Sequence, residues 1–254
     1  MSNAGASIGW GLVVGGSLLA GALVAVVLEL PSRIAAVVTS FGGGILVAAV
    51  ALELVPDADA EAGAAITAVC LLAGTVVFVA ADAWLTRDPG MKATRRSGHA
   101  AAAGQPMAMP DHAEAARGEA IAAGLFVDGV PESIALGLTI AEGEIGLALL
   151  VGIVVGNVVE AYGAAQPIAA GGHTRRFAVG LLGGIGLALA LATFLGGTVL
   201  ADASPELIGG AQALAAGAVL AVVSIAIVPH AFEEVSSQVA IATMLGFVAG
   251  YLLS

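Results

Sequence analysis

Phe41-Gly42-Gly43-Gly44-Ile45-Leu46-Val47-Ala48 lies in a stretch with no charged residue between Arg33 and Glu53, and runs on past Glu53 to Val55-Pro56-Asp57-Ala58. About 20 apolar residues are what one α-helix needs to cross the hydrocarbon core of a bilayer, and 34–55 is such a segment. Working outward, segments 7–29, 63–85, 117–140, 145–169, 177–200, 207–229 and 237–253 read the same way. The expected fold is therefore all-α, a polytopic membrane protein of eight transmembrane helices forming one domain over 1–254. Composition agrees: the 254 residues are 59% hydrophobic and 11% charged, whereas soluble chains carry about 25% charge. That excludes a soluble enzyme domain, a nucleic-acid binder, a secreted disulfide scaffold and a disordered chain. Cys70 is alone and reads as helix packing. The net charge of −11 favours cations as partners and argues against a basic, phosphate-binding surface.

The same stretch has a second copy. Ala215-Ala216-Gly217-Ala218-Val219-Leu220-Ala221, ending in Val228-Pro229-His230-Ala231, repeats its pattern, and Pro229 stands 173 residues after Pro56. Asp128-Gly129-Val130-Pro131-Glu132-Ser133 aligns in turn with Gly156-Asn157-Val158-Val159-Glu160-Ala161. Each pair falls in spans of opposite direction, so both are inverted repeats, a mark of secondary transporters with a substrate site near the midplane. The many glycines and alanines let helices approach closely, as membrane helices do.

All eight Lys and Arg residues fall in alternate loops. Arg33 lies between the first two spans, Arg87 to Arg117 between the third and fourth, and Arg175 with Arg176 between the fifth and sixth. The Lys and Arg excess marks the cytoplasmic side, which puts both termini outside. The first span reads as retained in the protein, not as a cleaved signal. Residues 86–116, with His99 and His112, read as a flexible cytoplasmic loop.

A carboxylate in mid-span is costly and serves an ion path or a pair. Asp128 and Glu132 are four residues apart and share a helix face, where two like charges need a cation or protons. Pro131 frees the carbonyl near Val127 as a further oxygen. Asn157 and Glu160 sit three apart on the next span. With no Lys or Arg inside any span, these residues are the predicted metal ligands: Asp128, Glu132, Asn157 and Glu160, an oxygen set suited to hard or borderline divalent ions. The alternative is protonated carboxyls bonded to backbone. Glu53 and Asp57 could line an entrance, and His230, with Glu233 and Glu234, an exit. Asp82 reads as hydrated near a span end, and His173 as a loop residue.

These residues resemble the ZIP family of divalent-metal transporters. The family motif H-N-x-P-E-G of span 4 is matched by Pro131 and Glu132 in Asp128-Gly129-Val130-Pro131-Glu132-Ser133, and the Q-N-x-P-E-G of span 5 by Asn157 and Glu160. The H-x-x-P-E ending of span 2 is similar to Glu53-Leu54-Val55-Pro56-Asp57, and the proline of span 7 to Pro229. The resemblance implies eight spans in a 3+2+3 arrangement and inward transport of zinc, iron, manganese or a related ion. The metal is then substrate, and no organic cofactor is implied. It also implies a place in the cytoplasmic membrane, with both termini outside. Asp128 replaces the family histidine, Gly129 and Gly156 replace two ligands, and span 6 has no acid, so half of a two-metal site is missing.

The expected function is metal transport by alternating access of the two repeat halves. The alternative is a degenerate homologue serving as a non-transporting scaffold or metal sensor. An exporter of organic solutes fits less well, since 4% of residues are aromatic. Hydrolysis lacks a base for Ser133, so the chain is not expected to be an enzyme. The expected partners are a metal cation and the lipid bilayer, with no nucleic acid and with a homodimer permitted.

Overall fold

In a computed structural model, residues 3–28, 31–85, 111–143, 145–170, 173–200 and 203–254 are described, and every regular element among them is a helix. The order is α1 (Asn3–Val27), α2 (Ser32–Ala49), α3 (Val55–Ala62), α4 (Ala64–Leu85), α5 (Asp111–Ala141), α6 (Leu147–Ala170), α7 (Arg175–Thr198), α8 (Pro205–Val222), α9 (Val228–Val235) and α10 (Gln238–Leu253). In hydrocarbon every backbone N–H and C=O must be paired within the protein, which long helices achieve unaided. Among the described residues, seven helical stretches are long and apolar enough to cross a bilayer. The chain is a polytopic α-helical protein of membrane-embedded character. The last apolar helix, α10, has 16 residues, about 24 Å at 1.5 Å per residue, short of a hydrocarbon core of about 30 Å.

Three boundaries differ most from those read in the sequence. Helix α5 begins at Asp111, inside the interval 86–116 expected to be loop, because Asp111, Glu114 and the alanines that follow Pro110 are a favourable helix start and body. Residues 86–110, with His99, lie outside the described residues. The other two are at the prolines. Instead of stopping, α2 and α8 each pass through one π-helical turn, Val50–Leu54 and Val223–Ile227, and resume as α3 and α9 with Pro56 and Pro229 in the first turn. Proline lacks the N–H for the i−4 bond and its ring crowds the preceding turn. A wider turn relieves this, with Val55 N–H bonding Val50 O and Val228 N–H bonding Val223 O.

The helices sort into two bundles. One is α1, α5, α6 and α7; the other is α2, α4, α8 and α10 with the short α3 and α9. Within each bundle, glycines set backbone on backbone. In the first, a Cβ at Gly15 would overlap the Gly186 carbonyl, one at Gly21 the Val158 carbonyl, and one at Gly137 the Thr193 carbonyl. In the second, the partners are Gly44 with the Thr243 carbonyl and Gly246 with the Phe41 carbonyl; then Gly217 with the Leu71 carbonyl and Gly74 with the Leu214 carbonyl. The two couples correspond: Gly217 and Leu214 stand 173 residues after Gly44 and Phe41, and Thr243 and Gly246 stand 172 after Leu71 and Gly74.

The seam between the bundles, α2 against α6 and α8 against α5, is built differently. A Cβ at Gly152 would meet the Leu46 side chain and one at Gly42 the Val155 side chain. Polar residues inside the bundles are mostly absorbed locally, Ser40 and Thr193 each donating to the carbonyl four residues earlier.

The charge pattern also has two ends. Arg33, Arg175 and Arg176 open α2 and α7 at one end, where Thr174 caps α7 by accepting from Phe177 N–H and Arg175 donates to the Val26 carbonyl. Asp57, Glu61 and Glu142 lie at the other.

Candidate metal centre

Helices α5 and α6 pack side by side, and each carries one of the two aligned motifs within the first bundle. Pro131 sits within α5 and the helix runs through it. Glu132 is 6% exposed and Asn157 3% exposed, while Glu160 is half-buried. Both glutamates take part in polar or electrostatic interactions and neither is an isolated group. Asn157 donates from Nδ2 to the Val14 carbonyl of α1 at 3.3 Å. That bond orients the amide and leaves Oδ1 as its coordinating atom. Beside Glu132, the Ser133 hydroxyl is fully buried with no hydrogen-bond partner.

Asp128 lies in the α5 backbone, but its side chain is outside the described residues. The described part of the predicted ligand set is thus Glu132, Asn157 and Glu160. Among the described residues no three His, Cys, Asp or Glu side chains converge as a metal-holding group. The two glycines that stand in place of ligands differ from one another. A Cβ at Gly129 would meet the end of the Leu189 side chain of α7, which would have to shift to admit it. A Cβ at Gly156 would meet nothing within 4 Å, which leaves open space next to Asn157.

The predicted entrance residues do share a location. Glu53, in the first π turn, accepts from Ala148 N–H at 3.4 Å, at the start of α6. It lines a cleft of about 390 Å³ together with Asp57, Glu61, Thr139, Glu142 and Gly146. The side chains of His230, Glu233 and Glu234 lie outside the described residues, as does that of His112. His173 stacks on Phe177 with ring centroids 4.3 Å apart, and Asp82 is half-buried in α4.

One pair escaped the sequence reading. Gln212, 0% exposed in α8, donates from Nε2 to both carboxylate oxygens of Glu142, at 2.8 and 2.9 Å. Glu142 counted only as a loop acid, although a lone glutamine inside an apolar span signals a polar contact. Gly143, with φ 91°, lets the chain leave α5 in a turn at this point.

No protein-family model matches the chain, and no curated protein sequence matches it.

Proposed function

We propose that this protein is a ZIP-like transporter that carries a divalent cation such as zinc, iron(II) or manganese across the cytoplasmic membrane toward the cytoplasm. The observation that carries the reading is the burial of Glu132 and Asn157 on the adjoining helices α5 and α6, in a stretch, 118–174, without a single Lys or Arg. A carboxylate buried within a span is costly and characteristically serves an ion path. Asp128, Glu132, Glu160 and the Asn157 Oδ1 supply oxygen donors of the type hard divalent ions take.

The helix contacts support eight spans in a 3+2+3 inverted repeat, with α10 as a short eighth span. Exchanging the first three spans with the last three, and the fourth with the fifth, maps the contact of α2 with α10 onto that of α8 with α4. It likewise maps α1 with α6 onto α7 with α5. The matched π turns, prolines and glycine contacts follow the same exchange. The basic residues at the starts of α2 and α7 favour that end as cytoplasmic and the acid end, with both termini, as outside. For alternating access the natural moving units are then the two bundles, which are not the sequence halves: glycine-mediated backbone contacts tie α1 to α7 across the repeat.

Uptake into vesicles containing the purified protein tests the reading. Wild type should accumulate Zn, Mn or Fe(II) above empty vesicles, and Glu132→Ala should lose most of that flux. Equal flux in the two sinks the site assignment.

A second reading, a degenerate homologue acting as scaffold or metal sensor, draws on the absence of any acid in α7. It predicts no uptake by wild type, and a cation that binds only as a sensor ligand would still raise the unfolding temperature.

A further inference from the structure

Among the described residues, Glu53 and Gln212 each make side-chain hydrogen bonds from one bundle to the other, and both lie at the acid end. Glu53 of the second bundle holds the Ala148 N–H of α6 at 3.4 Å, where the exposed N–H groups and positive dipole of a helix start favour a carboxylate. Gln212 of the second bundle holds both oxygens of Glu142 from the first at 2.8 and 2.9 Å. At the basic end, the Arg175 bond to the Val26 carbonyl ties α7 to α1, helices of one bundle. The cleft under the two acid-end bonds has one wall from each bundle, Glu53, Asp57 and Glu61 facing Thr139, Glu142 and Gly146. Its floor at Thr139 is 3% exposed. Thr139 lies two turns along α5 from Glu132 on the same face, about 10 Å at the helical rise. Leu136, fully buried, lies on the helix between them.

We propose that Glu53 and Glu142 latch the acid-end mouth of the seam between the bundles. While Glu53 holds the start of α6 and Gln212 holds Glu142, the cleft stops at Thr139. Release of both lets the walls part along the side-chain seam and opens a path down α5 toward Glu132. The nearest atoms to the seam glycines Gly152 and Gly42 belong to the Leu46 and Val155 side chains, so parting the seam disturbs none of the tight glycine-to-carbonyl contacts within the bundles. Gln212 is the sensitive member, since its buried amide has Glu142 as acceptor and loses it on opening. The latch rests on the two-bundle geometry and needs no metal, so its failure leaves the transport reading standing and the converse also holds.

The test uses the purified full chain in detergent, in a Cys70→Ser background with Thr139→Cys as reporter, labelled by a hydrophilic maleimide. Gln212→Ala should raise the labelling rate about tenfold or more, the effect of losing one charge-assisted bond. Gln212→Glu, which sets two carboxylates together, should do the same. Combining Gln212→Glu with Glu142→Gln restores an amide–carboxylate pair and should return the rate toward that of the background. A second reporter, Thr193→Cys, buried within the first bundle, should not change. Unchanged Thr139→Cys labelling in both single variants overturns the latch, as does a rise shared by Thr193→Cys, which marks general loosening. If Thr139→Cys does not fold, amide hydrogen exchange over 145–150 in the Gln212→Ala variant reads the same opening: acceleration supports the latch, and unchanged exchange overturns it.

Discussion

Within each bundle, several glycines place one backbone directly on another; across the seam, the atoms nearest to Gly152 and Gly42 belong to Leu and Val side chains. A backbone contact has no rotamer to change, so the bundles are stiff units, whereas a seam of flexible side chains can shift at low cost. The difference separates the parts that keep Asn157 and Glu132 in place from the surface along which, in the proposed mechanism, one bundle moves past the other.

The largest effect expected from this contrast is at the matched glycines of the second bundle. Gly44→Val and Gly217→Val each drive a side chain into a backbone carbonyl, and each should cost about 3 kcal/mol or prevent folding outright. Unfolding of detergent-purified protein, followed by size exclusion and a thermal ramp, measures it. The two variants should suffer alike, and a large inequality breaks the correspondence between the halves. At the seam, a Cβ at Gly152 would meet Leu46 Cδ2 at 2.8 Å, and the leucine can turn away. Gly152→Ala should therefore cost about 1 kcal/mol or less, and a loss as large as at Gly217 would erase the distinction between bundle and seam.

The smallest effect should have the opposite sign. Gly156 faces open space, so Gly156→Ala gains helix propensity, up to about 1 kcal/mol, seen as a slightly higher unfolding temperature. Gly156→Gln would further add an amide oxygen beside Asn157, and the rise in unfolding temperature caused by Zn or Mn should be larger in that variant than in wild type. An equal metal-induced rise, or none in either protein, would count against a cation site beside Gly156.

Much of the segmentation was legible in the residues. The apolar runs at 63–85 and 145–169 differ from α4 and α6 by no more than two residues at either end, because length and hydropathy are properties of a segment by itself. Pro56 and Pro229 misled, since a proline ends most helices and nothing in the local pattern announces that a π turn will carry the chain past it. At the candidate centre, residue types and spacing singled out Glu132 and Asn157, while the bond from Asn157 to Val14 spans 143 residues and is invisible from either position. Gly129 and Gly156 look equivalent in sequence. One meets the Leu189 side chain of another helix and the other is open.

The sequence by itself determined the solvent of this protein, the stretches that become helices, and the one-sided placement of its basic residues. Each of these follows from local hydropathy and charge, which a bilayer reads segment by segment. Only the tertiary structure decided which helices share a bundle, which glycines touch backbone, and that Gln212 would meet Glu142. Lipid offers no hydrophobic gradient to distinguish one apolar helix from another, so partner choice falls to shape, and shape is settled by where small residues on different helices come into register.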